Sequence, residues 1–256
     1  YASVFHTESA LVRPNLISGT HALHVALSGN LRPGDELLSP VGKPYDTLEE
    51  VIGIRESAGS LKEYGVIYRQ VDLLPDGSFD FDGIAAAVNE KTKLVTIQRS
   101  KGYATRPTLS VERIGQLIAF IKERKPDVIC MVDNCYGEFV EETEPTQVGA
   151  DLIAGSLIKN PGGGLAPTGG YIAGRSDLVE NASYKLTAPG IGGECGCTIG
   201  QNRLLYQGLF MAPHITAQAL KTAIFCAKVM ELMGYEVSPK AEETRYDIIQ
   251  TIAFGA

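Results

Sequence analysis

The chain has 256 residues, 44% of them apolar and 21% charged, with a formal charge of -7 at pH 7. That length suits one large α/β domain, or one and a fraction, with enough apolar residues for a sizeable core. The acidic balance argues against nucleic acid and anionic membranes as partners. Five cysteines without regular spacing read as reduced thiols and not as a disulfide framework. No apolar run is long enough to span a bilayer and no signal-peptide pattern opens the chain, so a soluble cytoplasmic protein is expected. Because the chain opens at Tyr1 and stops at Gly255-Ala256, just after a helix-like stretch over 241–254, it is expected to be the middle of a longer polypeptide, or the ordered part of one.

In chain order, Ser18-Gly19-Thr20 reads as a turn opening a helix, with Ala22, Leu23, Ala26 and Leu27 at helical spacing. Such a turn is an ordinary N-cap. It also offers free backbone N–H groups at a positive helix end, which suits a phosphate. Residues 31–38 turn into a short strand, and 42–52 form a loop feeding a helix. Tyr45 lies between Pro44 and Asp46, the expected N-cap, so its ring is placed at the helix mouth. There it is either simply packed or able to stack on a flat cofactor.

Strands are expected at 65–71, 92–98, 128–133, 152–158 and 169–174. A helix begins within 79–88, and another over 111–123 carries Ile114, Leu117, Ile118 and Ile121 on one side. A long helix follows with Ala217, Leu220, Ala223, Ile224, Ala227 and Met230 on one face, and 234–239 reads as the first strand of a small second domain. Strands alternating with helices imply an α/β fold with a mostly parallel sheet covered on both faces. The expected division is a ligand-binding large domain over 1–230 and the beginning of an incomplete small domain over 231–256.

Two strands end in chemistry. The apolar run Val128-Ile129-Cys130-Met131-Val132 delivers Asp133 at its carboxyl end, and Gly155-Ser156-Leu157-Ile158 runs out at Lys159 before a glycine-rich loop. Carboxyl ends of parallel strands are where open α/β sheets hold ligands. An acid and an amine aimed at one crevice suit pyridoxal phosphate: the lysine forms the Schiff base, and the carboxylate keeps the pyridine nitrogen protonated. Partial desolvation is expected to lower the lysine pKa and so help it act as nucleophile and base. The plain alternative is a strand-end aspartate capping a turn and a surface lysine in a loop.

The motifs Val12-Arg13-Pro14, Ser18-Gly19-Thr20-His21-Ala22, Gly42-Lys43-Pro44-Tyr45-Asp46-Thr47-Leu48-Glu49, Gln98-Arg99-Ser100 and Val132-Asp133-Asn134-Cys135-Tyr136-Gly137-Glu138-Phe139 span nearly the whole chain. Together they resemble the bacterial methionine gamma-lyase-like family, often labelled aluminium resistance protein and related to cystathionine lyases. The resemblance implies a three-layer α/β/α large domain of the aspartate aminotransferase type, a fold-type-I pyridoxal-phosphate enzyme. By position it implies that Lys159 forms the internal aldimine, and that Asp133 pairs with the pyridine nitrogen. Gly19 and Thr20 would give N–H groups to the phosphate, Ser156 a hydroxyl, and Tyr45 a stacking ring. Gln98 and Arg99 fall near the ring hydroxyl or the substrate. Implied too are a homodimer or homotetramer, and β- or γ-elimination of a sulfur amino acid of the cystathionine or methionine type. Aminotransferase, aldolase and catalytically silent pyridoxal-phosphate-binding protein are the alternatives. The resemblance also implies an N-terminal segment and a C-terminal domain with a carboxylate-binding arginine, both expected to lie outside this sequence.

Two other motifs are set aside. The glycines after Lys159 stand on the wrong side of the lysine for a phosphate-binding loop of nucleotide-binding proteins. Glu194-Cys195-Gly196-Cys197, with only His214 nearby, is an incomplete ligand set, so no metal is expected and the thiols read as buried in a glycine-rich loop.

Overall fold

The computed structural model describes residues 1–255. In chain order its elements are β1 (Ser9–Arg13), α1 (Gly19–Asn30), β2 (Glu36–Ser39), α2 (Asp46–Ile52), β3 (Ile67–Gln70), α3 (Phe81–Ala87), β4 (Thr92–Gln98) and α4 (Val111–Arg124). They continue with β5 (Ile129–Asp133), β6 (Leu152–Ser156), β7 (Gly170–Gly174), α5 (Ser176–Leu186), α6 (Asn202–Leu232), β8 (Glu236–Ser238) and β9 (Thr251–Ala253). Seven strands form one sheet in the order β1-β7-β6-β5-β4-β2-β3, and β8 and β9 pair separately. In the seven-stranded sheet β7 runs antiparallel to β6 and β1, while the other pairings are parallel. The α/β reading holds, with a mixed, mostly parallel sheet.

Every residue of β5, β6 and β7 is buried, because both faces of the sheet are covered. Alternation sends Cys130 and Val132 to one face and Ile129 and Met131 to the other. The first face meets Ile114, Leu117, Ile118 and Ile121 of α4, each worth about 1.5–3 kcal/mol of burial. On the second face lie Ala22, Leu23, Ala26 and Leu27 of α1, with Leu178, Val179 and Ala182 of α5. Gly29 makes this pairing possible, since a Cβ there would stand 2.9 Å from the Ala182 Cα.

The helix starts follow capping chemistry. The Ser18 hydroxyl accepts from His21 N and that of Ser110 from Arg113 N, while the Asp80 carboxylate accepts from Gly83 N. Asp46 is the first residue of α2 and not its N-cap, a position Tyr45 fills without a side-chain bond.

Two further expectations are corrected, and one helix is added to those expected. The stretch 241–254 is not helical: it runs as turns and bends into β9. The helical spacing there is overridden by polar anchors, with Arg245 bonded to Gln250 and buried Asp247 bonded to Ser100 and Thr108. α5 was not anticipated, because its buried stripe of Leu178, Val179 and Ala182 is short. Finally, Cys195 and Cys197 are exposed, not buried. No helix among the described residues is long and apolar enough to cross a membrane.

Candidate active site

Strands β4, β5 and β6 deliver the site. Gln98 stands across from Asp133, and Asp133 across from Ala154, so β4 and β5 end level and β6 runs two residues further. Ser156 closes β6, and Lys159 follows at the entry of a single 3-10 turn over Asn160–Gly162. The N-terminus of α1 arrives from the second face of the sheet. The cleft between these ends is lined by Gly19, Thr20, Tyr45, Gln98, Asp133, Ser156 and Lys159, together with Ser100, Cys135 and Tyr136.

The electrostatics are set by burial. Asp133 is buried, and this pushes its carboxyl above the ordinary range; Lys159 is the foremost opposing influence, and the Cys135 N–H, donated at 3.1 Å, also favours the anion. For Lys159, burial acts downward, but Cys135, Tyr136 and Asp133 outweigh it and hold the ammonium above the ordinary lysine value. The expected lowering is therefore corrected. The ammonium rests on the face of Tyr136, 3.9 Å from the ring centroid. Tyr136 itself adopts the left-handed conformation, φ 70, which aims its ring under the amine.

Two polar atoms in the cleft are buried and unpartnered among the described residues: Ser156 Oγ and Gln98 Oε1. Buried polar groups are nearly always satisfied, so such atoms call for a partner. The Gly19 backbone also approaches closely, since a Cβ there would meet Ser156 Cβ at 3.2 Å and Cys135 Sγ at 3.3 Å. The N–H groups of Gly19 and Thr20 belong to the first turn of α1, which has no intrahelical acceptors to offer. A helix terminus, a free hydroxyl and a close glycine together could hold an anion. Tyr45 stands at the mouth of the cleft, stacked on Tyr103 at 5.8 Å between ring centroids. Burial, then the side-chain hydrogen bond to Tyr103, pushes the Tyr45 phenol up to about 12.

Arg99 does not join them. Its side chain is fully buried, donating to Asn134 Oδ1 at 2.8 Å and paired with Glu141 at 2.8 Å and Glu144 at 3.3 Å. As the residue after Gln98 on an extended strand it points to the opposite face, so the substrate-side expectation is corrected to a structural one. Cys135, Tyr136 and Ser100 stand in the motifs of the sequence without an assigned role. Each lies within two or three residues of a predicted site residue at a strand end, and that adjacency was the available signal.

The model of the methionine gamma-lyase family matches residues 1–256. YnbB of Bacillus subtilis (strain 168) is 56% identical over the whole of this chain, which covers 61% of that protein. A crystal structure described as a carbon-sulfur lyase involved in aluminum resistance, from Clostridium novyi NT, is 58% identical with a TM-score of 0.96, covering 99% of this chain and 61% of that one. The cystathionine gamma-lyase of Lactobacillus plantarum shares the fold at 19% identity, with a TM-score of 0.68 over 90% of this chain and 54% of its own. The chain thus spans about three-fifths of the length of its similar relatives. Matched from end to end by the family model, the chain belongs to the methionine gamma-lyase family.

Proposed function

We propose that this chain is the pyridoxal-phosphate-binding large domain of a carbon–sulfur lyase that acts on a sulfur amino acid by β- or γ-elimination. The observation that carries the cofactor reading is the buried, unpartnered Ser156 Oγ beside the first turn of α1, in one cleft with Asp133 and Lys159. The residues fit the group: an anion cradle at Gly19, Thr20 and Ser156, a ring platform at Tyr45, an acid at Asp133 and an amine at Lys159. Pyridoxal phosphate, when bound, supplies an electron sink for a carbanion at the substrate α-carbon.

The remaining steps belong to the chain. The Asp133 carboxylate, held by the Cys135 N–H, keeps a cation opposite it, and the ring nitrogen is the cation this reading assigns. Engaging that carboxylate weakens one of the influences that hold the Lys159 ammonium up, beside those of Cys135 and Tyr136, and so moves the amine toward the range where it accepts protons. Lys159 then takes the α-proton and, for γ-elimination, once it has passed that proton on, removes one from the neighbouring β-carbon, whose electron pair expels the sulfur from the γ-carbon as a thiolate. Tyr136 beneath Nζ holds the ammonium form between the two transfers.

The choice of elimination rests on family membership, and that of a sulfur substrate on the carbon-sulfur lyase description of the Clostridium novyi relative. The whole protein is taken to be a homodimer or homotetramer, a reading supported by the exposed Phe210 and Phe225 on α6. The test is to incubate the full-length enzyme with cystathionine, methionine, threonine and an amino acid plus 2-oxo acid pair. A thiol released with ammonia and a 2-oxo acid is the expected result. Glycine plus an aldehyde, a transferred amino group, or bound cofactor without turnover overturns it.

A further inference from the structure

The cleft wall that follows β4 is tied to the C-terminal hairpin by a group outside the site. Asp247 is 1% exposed and lies in the turn that leads into β9. Its Oδ2 accepts from Ser100 Oγ and from Thr108 Oγ1, each at 2.7 Å, and its Oδ1 accepts from Ile249 N at 3.0 Å. It is the foremost anion acting on Lys101, Arg106 and Arg245. Two of these cations brace the same segment. Lys101 Nζ donates to Ser238 O at 2.8 Å, and Arg106 donates to the carbonyls of Gln98 and Ser100 at 2.7 Å.

Ser100 is where this network meets the site. Its hydroxyl, fixed by Asp247, also accepts from Gly102 N at 3.2 Å, and its carbonyl accepts from Gln98 Nε2 at 2.8 Å. The second bond leaves Gln98 Oε1 as the buried, unpartnered acceptor in the cleft. The first sets the turn that brings Tyr103 against Tyr45. A buried carboxylate holding two hydroxyls and facing three cations has one low-energy arrangement, which makes the wall rigid.

We propose that Asp247 is a positioning residue for the cleft: through Ser100 and Thr108 it fixes the wall from Gln98 to Tyr103, and so sets the Gln98 amide and the Tyr103 ring for the bound group. Its consequence for pyridoxal phosphate rests on the proposed function; its consequence for the wall does not.

The experiment uses the full-length protein with Asp247→Ala, Asp247→Asn, Thr108→Val and Ser100→Ala. Amide exchange at residues 99–103 is measured without cofactor, then pyridoxal phosphate affinity and visible circular dichroism. Loss of a charge-assisted hydrogen bond predicts about tenfold faster exchange at Gly102 and about tenfold weaker cofactor binding in Asp247→Ala. The dichroic band changes with it, and Asp247→Asn recovers part of the loss. If Asp247→Ala does not fold, Thr108→Val carries the same test with a smaller expected effect in the same direction. Variants that melt earlier yet keep wild-type exchange, affinity and dichroism overturn the proposal. If the wild type binds no pyridoxal phosphate, the functional reading fails, while the exchange data still decide the role of Asp247.

Discussion

Lys159 Nζ lies 3.9 Å from the centre of the Tyr136 ring and makes no ion pair with Asp133 among the described residues. The two charges share the cleft without contact, which leaves the Asp133 carboxylate free for another cation. Asp133 is nonetheless among the groups that raise the Lys159 pKa. In the cofactor-free protein, Asp133→Asn is therefore expected to shift acetylation of Lys159 to lower pH. A shift of one pKa unit means about a tenfold faster rate at a fixed pH below the transition. Acetylation profiles that superimpose for the two proteins would show that Asp133 does not govern the amine.

Arg99 makes a different kind of prediction, because its partners are the buried Glu144 and the part-buried Glu141. Glu144 is raised by burial and held down chiefly by Arg99, and the Arg99 side chain packs on Gly137, where a Cβ would meet its Cδ at 2.5 Å. Arg99→Met leaves Glu144 and Glu141 unpaired, a loss of about 3–5 kcal/mol. Freed from its cation, Glu144 moves further up in the folded state. The folded protein then binds a proton more tightly than the unfolded one, so the variant regains stability as pH falls. Denaturant midpoints measured between pH 5 and 8 test this, and a deficit independent of pH would count against it.

Much of this was legible in the sequence. The runs ending at Asp133 and Lys159 are apolar because both sheet faces are covered, and that signal survives without any structure. The Ser18 cap and the helical stripe of Ile114, Leu117, Ile118 and Ile121 are equally local. Arg99 was misplaced because strand alternation decides the face, and a motif that spans Gln98-Arg99-Ser100 hides it. The stretch 241–254 was misread because its conformation depends on Ser100 and Thr108, far away in sequence, to which Asp247 is bound. Residue type alone places Cys195 and Cys197 in the interior, but burial of a short loop is set by what packs on it, and both are exposed.

Glu138 offers a test of the buried network below the site. Burial pushes its carboxyl up to about 8, against the hydrogen bond from Tyr171 at 2.8 Å, and its Oε2 has no partner among the described residues. Between about 4.5, the ordinary value, and about 8 the folded state keeps a proton that the unfolded state has lost. Stability attributable to this group is complete below the ordinary value and falls as pH rises to about 8, by at most ~1.4 kcal/mol per pH unit. Glu138→Gln cannot titrate, so it is expected to flatten that slope. Thermal melting from pH 5 to 9 reads the difference, and parallel curves for the two proteins would refute the assignment.

The anion cradle predicts opposite effects on stability and on binding. In the cofactor-free protein, Ser156 Oγ is buried with nothing to bond, so its desolvation is uncompensated. Ser156→Ala removes that group without making a cavity larger than the lost oxygen. The melting temperature of the cofactor-free variant is therefore expected to stay level or rise, by the equivalent of about 1 kcal/mol at most. Binding should move the other way. A phosphate that accepted from this hydroxyl loses a charge-assisted hydrogen bond, which weakens pyridoxal phosphate by about tenfold. Gly19→Ala acts on the same cradle from the other side, since its Cβ would press on Ser156 Cβ at 3.2 Å and on Cys135 Sγ at 3.3 Å. It is expected to weaken binding as well, but with lower stability, because the neighbours must shift. Fluorescence titration of each cofactor-free protein, beside its melting curve, separates the two signatures. A Ser156→Ala protein that melts earlier and binds pyridoxal phosphate as the wild type does would mean that the hydroxyl serves the fold and not the phosphate.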